Sequence, residues 1–160
     1  MKGKAIVLGD NIGGDMIISS VHLSGGADNT SIQQYLFESC RPDFPDIYVP
    51  GDFIVAGENF GCGSSREQVM IALKQAQISC VLAKSFSRQF YRSGINMGIL
   101  PILCSAAIRD GDLLELDLEQ HQLTINGRTE YRFPPFPPQL LGFLQEGGLL
   151  NYYRRYHSLM

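Results

Sequence analysis

The sequence predicts an α/β fold in which a mixed sheet is flanked by helices, and three observations support this. Apolar runs typical of buried strands alternate with helical patterns through the middle of the chain. The last third turns to short strands separated by tight turns, which is typical of antiparallel pairing. The chain has 160 residues and 44% hydrophobic side chains, enough to bury one sizeable core. We therefore predict a single domain over residues 1–160.

The chain begins with a predicted strand over residues 2–8, which are mostly apolar. A polar, glycine-containing turn follows, and the apolar run at residues 16–18 predicts a second strand paired around that turn. Residues 19–31 are small and polar and include a Gly-Gly pair. They predict a mobile connection, the kind of loop that often contacts ligands.

The next elements are a short helix and a strand. The helical pattern covers residues 32–40, and the two prolines in residues 41–45 are expected to end it. Residues 52–56 then form an apolar strand that leads into a glycine-rich segment. That segment carries the predicted site.

The middle of the chain predicts a helix, a buried strand and a second helix. Val69, Ala72, Leu73 and Ala76 fall on one face of a helix over residues 65–77. Residues 79–83 are apolar enough for a buried parallel strand. A helix capped by Ser85 or Ser87 then runs to Asn96.

The last third is predicted to be mainly antiparallel, with two closing helices. Asn126-Gly127 is a strong hairpin signal. Strands are predicted over residues 98–103, 112–118, 122–125 and 128–132, an extended proline-rich segment over 133–138, and helices over 139–146 and 149–156.

Composition excludes several classes of function. The formal net charge of −3 argues against a nucleic-acid partner and against an anionic membrane surface, since both need a basic field. No apolar stretch is long enough to cross a membrane, and the N-terminal apolar run is too short for a signal peptide. A cytoplasmic protein is predicted.

The four cysteines do not outline a metal site, because Cys40, Cys62, Cys80 and Cys104 are widely spaced and form no Cys-x-x-Cys pair. No metal and no bound cofactor are predicted on this chain. Cys62 lies between two glycines just before a helix start, where a thiol can become reactive. A thiol-dependent redox protein is therefore one alternative.

The predicted site is a glycine-rich loop directly before a helix. Gly57, Gly61 and Gly63 allow positive φ angles and a close approach of the backbone to a ligand. The first turn of the following helix offers unpaired N–H groups and a partial positive charge. A carboxylate or phosphate would bind well there. The glycine spacing matches neither a dinucleotide-binding loop nor a P-loop.

Polar side chains at the start of that helix support an anion site. Ser64 and Ser65 have capping-box spacing to Glu67 and Gln68, and Arg66 lies beside them. An arginine grips a carboxylate through two parallel hydrogen bonds. The simpler alternative is that Ser65 only caps the helix and Arg66 is solvated.

Several segments together resemble a known family. They are Gly-Glu-Asn-Phe-Gly-Cys-Gly-Ser-Ser-Arg-Glu-Gln at residues 57–68, Ala-Lys-Ser-Phe-Ser-Arg-Gln-Phe-Tyr-Arg-Ser-Gly-Ile-Asn-Met-Gly-Ile-Leu-Pro-Ile at 83–102, and shorter matches at 9–18 and 147–152. The chain resembles the small subunits of isopropylmalate dehydratase, in the aconitase superfamily, over nearly its whole length. Gln68, rather than histidine, follows Ser-Ser-Arg-Glu. In this respect the chain resembles the short, archaeal-type branch of the family, which also contains homoaconitase small subunits.

This resemblance implies a swivelling β/β/α domain with a barrel-like β core and flanking helices. It implies a heteromeric hydro-lyase of leucine biosynthesis that isomerises 2-isopropylmalate to 3-isopropylmalate, active only with a large subunit that carries a 4Fe–4S cluster. By motif position, Ser64 would be the catalytic base and Arg66 would bind a substrate carboxylate. Ser65 and Gly63 would support substrate binding.

The segment that would choose the substrate departs from the family pattern. Residues 21–26 read Val-His-Leu-Ser-Gly-Gly and contain no arginine for a distal carboxylate, which favours an apolar substrate side chain. His22 and Ser24 are candidate substrate contacts. Homoaconitate, citrate-like and dimethylmalate-type acids remain alternatives, as does a stand-alone anion-binding module.

Overall fold

The structure is a computed structural model that describes residues 1–23, 33–63 and 67–158. Four predicted site residues, Ser24, Ser64, Ser65 and Arg66, lie outside the described residues. The other two, His22 and Gly63, lie within them.

One mixed sheet of seven strands organises the described chain. The strands are β1 (Lys2–Val7), β2 (Phe53–Ala56), β3 (Cys80–Ala83), β4 (Leu100–Leu103), β5 (Leu113–Asp117), β6 (Gln122–Ile125) and β7 (Thr129–Arg132). Their order across the sheet is β4-β3-β2-β1-β5-β6-β7. The first four pair in parallel, β1 pairs antiparallel with β5, and the last three are antiparallel. The predicted switch from parallel to antiparallel pairing is confirmed.

Seven helices accompany the sheet in the described residues. They are α1 (Gly14–Ile17), α2 (Ser20–Leu23), α3 (Phe44–Ile47), α4 (Glu67–Gln75), α5 (Arg88–Met97), α6 (Pro138–Gln145) and α7 (Leu149–Tyr156). Of the two predicted caps of α5, Ser87 is the one used, because its hydroxyl accepts the Phe90 N–H. Gly98 ends α5 in the left-handed conformation, as is common at helix ends. None of the described helices is long and apolar enough to cross a membrane.

The sheet separates two apolar cores. Successive residues of a strand point to opposite faces, so Phe53 and Ile54 on β2 are both fully buried but belong to different cores. The core that contains Ile54 and Leu73 of α4 is called the helix-side core. The core that contains Phe53 and Leu82 is called the inner core. Both faces of the parallel half are therefore covered, as parallel strands require.

The sheet curls around the inner core. Side chains from β2 to β4 and from β5 and β6 meet there, and Phe133 and Phe136 close it. The Tyr131 hydroxyl of β7 accepts the N–H of Ser105, just after β4, at 3.2 Å, so the two ends of the sheet approach each other. The barrel-like β core flanked by helices is confirmed as a half-barrel.

Two predicted elements in the first third are wrong. Residues 16–18 do not form a strand, because α1 occupies Gly14–Ile17 and turns Ile17 and Ile18 fully into the core. The helix expected over residues 32–40 is replaced, in its described part, by a short 3₁₀ turn and further turns. Phe37 is fully buried there with a φ of 58°, which no α-helix allows.

Smaller differences have local causes. Residues 20–23, expected in a mobile connection, form α2. The prolines in residues 41–45 predict only the end of a helix, yet a new helix, α3, begins at Phe44. Pro45 is compatible with this helix because it lies in the first turn, where a backbone N–H has no partner within the helix. The strand predicted from residue 98 begins at Leu100, since Gly98 belongs to the end of α5.

Candidate functional site

The glycine loop of residues 57–63 follows β2 at the carboxyl edge of the parallel strands. Residues 9–13, which follow β1, lie on one side of it, and residues 84–87, which follow β3, lie on the other. The carboxyl edge is where open α/β sheets form their ligand-binding crevices. Each neighbour fixes a different part of the loop.

The segment after β1 holds the start of the loop. The Asp10 carboxylate accepts the Glu58 N–H at 2.7 Å, and the Glu58 carbonyl accepts the Asn11 N–H at 2.7 Å. A Cβ atom on Gly57 would lie only 1.6 Å from Asp10 Oδ1. A side chain at residue 57 would therefore have to displace the Asp10 carboxylate from its present position.

The segment after β3 holds the loop through two serine hydroxyls. Ser85 Oγ accepts the Asn59 N–H at 2.7 Å and donates to the Glu58 carboxylate at 2.5 Å. Ser87, the cap of α5, donates its hydroxyl to the Gly61 carbonyl at 2.6 Å. One serine therefore both starts a helix and holds the loop.

Left-handed residues give the loop its path. Asn11 and Asn59 have φ angles of 56° and 61°, and their side chains are joined by a hydrogen bond of 3.1 Å. Asparagine is among the few residues that tolerate this conformation. Gly61 and Gly63 also have positive φ, and a Cβ on Gly61 would lie 2.2 Å from that of Phe90. The loop conformation is specific to these residue types.

Gly63 ends the described part of the loop with an open side. Among the described residues other than its chain neighbours, no atom lies within 4 Å of the place where its Cβ would be, and Gly63 is exposed. The chain continues through residues 64–66, outside the described residues, and α4 begins at Glu67 and runs for nine residues. The substrate-binding role of Gly63 stays a prediction.

Sequence reasoning missed the residues that hold this loop. Gly9-Asp10-Asn11 and Gly57-Glu58-Asn59 have the same glycine, acid, asparagine pattern, and each follows a parallel strand. Their asparagines share the left-handed conformation. This repeated tripeptide was the available signal, and recognising it would have predicted two matching turns side by side.

Cys62 has a partner within the loop region. Its Sγ donates to the Asn11 carbonyl at 3.5 Å, and its own carbonyl accepts the Gly14 N–H at 3.2 Å. These contacts join the loop to the start of α1. They give the thiol a structural partner rather than a general base, so the redox alternative gains no support.

The other three cysteines lie in apolar surroundings, apart from the glycine loop. Cys80 and Cys104 are buried in the inner core, and burial raises the pKa of both thiols. Burial also raises the pKa of the half-buried Cys40 thiol. Within residues 1–23, 33–63 and 67–158, no three histidine, cysteine or acidic side chains come together as metal ligands. The described residues therefore offer no place for an iron–sulfur cluster.

His22 is engaged by its own chain. Its ring stacks on Tyr35 with a centroid distance of 3.8 Å, and its Nε2 lies 2.7 Å from a Glu38 carboxylate oxygen. These contacts join α2 to the segment after residue 32. The substrate contact of His22 stays a prediction. To bind substrate, the His22 ring would have to give up its contacts with Tyr35 and Glu38.

The chain matches a known domain family. Residues 42–107, which include the whole glycine loop, match the Aconitase C-terminal domain. The 3-isopropylmalate dehydratase small subunit of Wolinella succinogenes is 44% identical over 154 residues, covering 94% of this chain and 92% of that protein. The methanogen homoaconitase small subunit of Methanothermobacter thermautotrophicus is 40% identical, covering 96% and 90%.

A solved structure has the same fold. The crystal structure of 3-isopropylmalate dehydratase from Methanocaldococcus jannaschii superposes with a TM-score of 0.90 at 39% identity, covering 98% of this chain and 94% of that chain. The similarity therefore extends over both halves of the sheet. The resemblance drawn from the sequence motifs is confirmed.

Proposed function

The chain belongs to the aconitase-type small-subunit family whose members include those of 3-isopropylmalate dehydratase, and we propose that it serves as the small subunit of such a hydro-lyase. The reaction is the isomerisation of 2-isopropylmalate to 3-isopropylmalate through the dehydrated alkene, a step of leucine biosynthesis. The observation that carries the proposal is similarity at 44% identity over almost the full length of both chains.

The partner follows from the family. The relatives are named small subunits, so a large subunit completes the enzyme. We propose that the large subunit carries the 4Fe–4S cluster, in keeping with the dispersed cysteines of this chain. Such a cluster supplies a Lewis acid for the leaving hydroxyl group. We also propose the cytoplasm as the location, which stays a prediction from sequence.

The reacting groups on this chain are proposed to follow the glycine loop. Ser64 removes the proton α to a substrate carboxylate, and Arg66 binds a carboxylate through its planar guanidinium. A serine hydroxyl is a weak base unless its alkoxide is stabilised. The N-terminus of α4, Arg66 and loop N–H groups near Ser65 and Gly63 would supply that stabilisation.

The substrate proposed first has an apolar side chain. Residues 21–26 contain no arginine to pair with the additional carboxylate of homoaconitate. His22 and Ser24, in the same segment, are the proposed contacts. Homoaconitase is the second candidate, because relatives named homoaconitase small subunits reach 40% identity.

The test is anaerobic turnover after this chain is mixed with its cognate large subunit bearing an intact cluster. We expect the alkene to form from 2-isopropylmalate and not from homocitrate or citrate. Ser64→Ala should lower kcat by about 10²–10⁴-fold, the usual contribution of a general base. Ser93→Ala, in the middle of α5, is the matched control and should retain activity.

Other outcomes identify the alternatives. Turnover of homocitrate alone would favour homoaconitase. A stable complex that turns over none of the acids would favour an anion-binding module. Loss of activity in Cys62→Ser, with Ser64→Ala active, would assign the chemistry to the thiol.

A further inference from the structure

We propose that Ser85 and Glu58 are positioning residues that act as one unit to hold the Asn59 peptide, and through it the glycine loop, in its reactive conformation. The proposal rests on the proposed function and deepens it. It assigns no contact with substrate to either residue. Its basis is a hydrogen-bonded chain of three groups from two neighbouring loops.

The geometry of Ser85 shows how the unit works. A serine hydroxyl has one proton to donate and two lone pairs to accept with. Because that proton is directed to the Glu58 carboxylate at 2.5 Å, a lone pair is left facing the Asn59 N–H at 2.7 Å. The charged acceptor also polarises the hydroxyl, which strengthens the second hydrogen bond. Glu58 therefore sets the orientation that Ser85 needs.

Asn59 is the residue where this restraint matters most. It holds a left-handed φ of 61°, and such a conformation persists only when its surroundings over-determine it. Its side chain bonds Asn11 on one side, and its N–H bonds Ser85 on the other. Loss of the Ser85 hydroxyl would remove the hydrogen bond to the Asn59 N–H and leave only the one to Asn11. Asn59 lies four residues before Gly63, so the end of the loop would be held less precisely.

The rest of the loop is anchored without Ser85's hydroxyl. The Glu58 N–H still reaches Asp10, and Ser87 still donates to Gly61. The backbone carbonyl of Ser85 still accepts the Phe60 N–H at 3.0 Å. Removing the hydroxyl should therefore leave the fold intact and change only the precision of the loop. A displacement of about 1 Å at such a site can cost about 100-fold in rate.

The main test compares Ser85→Ala and Ser85→Thr in the holoenzyme with the large subunit. We expect Ser85→Ala to lower kcat about 10- to 100-fold with KM nearly unchanged. Ser85→Thr keeps the hydroxyl and should restore most of the rate. Ser93→Ala should match the wild type. Wild-type kcat in Ser85→Ala, or a threonine variant no better than alanine, would overturn the proposal.

A double-mutant cycle tests whether the two residues act together. Glu58→Ala should cause a similar loss, and the Ser85→Ala, Glu58→Ala double variant should be little worse than either single variant. Losses that multiply would show that the residues act separately and would contradict the proposed unit.

A measurement without turnover separates this proposal from the proposed function. In the isolated chain, Ser85→Ala should speed amide hydrogen exchange at Asn59 relative to Glu58, whose N–H bonds Asp10, and Ser85→Thr should not. If the wild-type holoenzyme is inactive on every acid, the proposed function fails, and unchanged exchange at Asn59 would still overturn the positioning role.

Discussion

Gly57 and Asp10 approach so closely that a methyl group does not fit between them. Gly57→Ala would place its Cβ 1.6 Å from Asp10 Oδ1, which must displace the carboxylate from the Glu58 N–H. We expect a loss of about 1–3 kcal/mol in the free energy of unfolding, measured by urea titration, together with reduced turnover.

Gly9→Ala is the control for this substitution. In the part of the chain that the structure describes, no atom beyond its chain neighbours lies within 4 Å of the place where its Cβ would be, although its carbonyl accepts the Gly57 N–H. We expect little loss of stability. If Gly57→Ala is as stable and as active as Gly9→Ala, then Asp10 does not hold the loop as the structure indicates.

Asp110 makes stability depend on pH. Both of its oxygens accept hydrogen bonds from Arg41 at 2.9 Å, and these bonds lower the pKa of the Asp110 carboxyl below its usual range. Because the folded-state pKa is depressed, the stabilisation is present above the unfolded pKa of about 4 and is lost as the pH falls through the folded value.

The pH prediction is tested with Asp110→Asn, which keeps an acceptor for the Val7 N–H and removes the charge. Between about pH 6 and pH 2, the wild-type chain should lose more free energy of unfolding than the variant does. The carboxylate is half exposed, so the difference should be modest. Equal losses in the two proteins would show that the Arg41 pair contributes nothing measurable.

At the residue level, what the sequence predicted is the loop and its glycines, and what it missed is the network around them. A Cβ atom at Gly57 or Gly61 would indeed clash with Asp10 or Phe90 in their present positions. The partners Asp10 and Ser85 are 48 and 26 residues from the loop residues they bind. Such pairs depend on which strands become neighbours, and spacing along one segment carries no information about that.

Among the elements, those with local start signals were predicted well. Ser87, one of the two predicted caps, starts α5, and the helix ends at Met97, one residue beyond the predicted end. The local signal that Gly98 gives for the helix end was missed, since Gly98 was assigned to the next strand. The three-residue run at 16–18 has no such signal, and a run this short fits a strand and a helical turn equally well. Burial of Ile17 and Ile18 in the helix-side core decided its conformation.

Asp52, directly before β2, joins the start of that strand to β1. Its side chain is buried, with 8% of the residue exposed, and accepts N–H groups from Lys4 in β1 at 2.7 Å and from Val49 at 3.1 Å. Asp52→Ala would leave these donors without their partner. We expect a loss of about 1–3 kcal/mol in the free energy of unfolding, measured by urea titration.

Asp46→Ala is the matched control, since Asp46 is exposed in the first turn of α3. It should cost well under about 1 kcal/mol, as surface substitutions usually do. If both variants lose the same stability, the two hydrogen bonds of Asp52 contribute no more than an exposed charge.

For the whole molecule, the parallel pairing of strands β1 to β4 was easier to predict than the curling of the sheet around the inner core. Alternation of strands and helices along the chain favours parallel pairing, since crossovers put helices on the sheet faces. The curl depends on side chains from both halves that meet in the inner core and on Tyr131 reaching Ser105, 26 residues away. No local pattern predicts that meeting.

The single domain over residues 1–160 is a prediction that the two cores make testable. Both cores share the strands of one sheet, so we expect them to unfold together. The chain has no tryptophan, so a single introduced tryptophan reports on one core without background. Tyr48→Trp would report on the helix-side core and Tyr131→Trp on the inner core.

Each tryptophan reporter is then combined in turn with two truncations. Leu73→Ala truncates the helix-side core, and Leu82→Ala truncates the inner core. Both side chains are fully buried, and each truncation should cost about 2–5 kcal/mol. Because β2 and β3 contribute to both cores, either truncation should shift the urea midpoint of both reporters equally. If Leu82→Ala shifted only the Tyr131→Trp signal, the inner core would unfold separately and the chain would comprise two cooperative units.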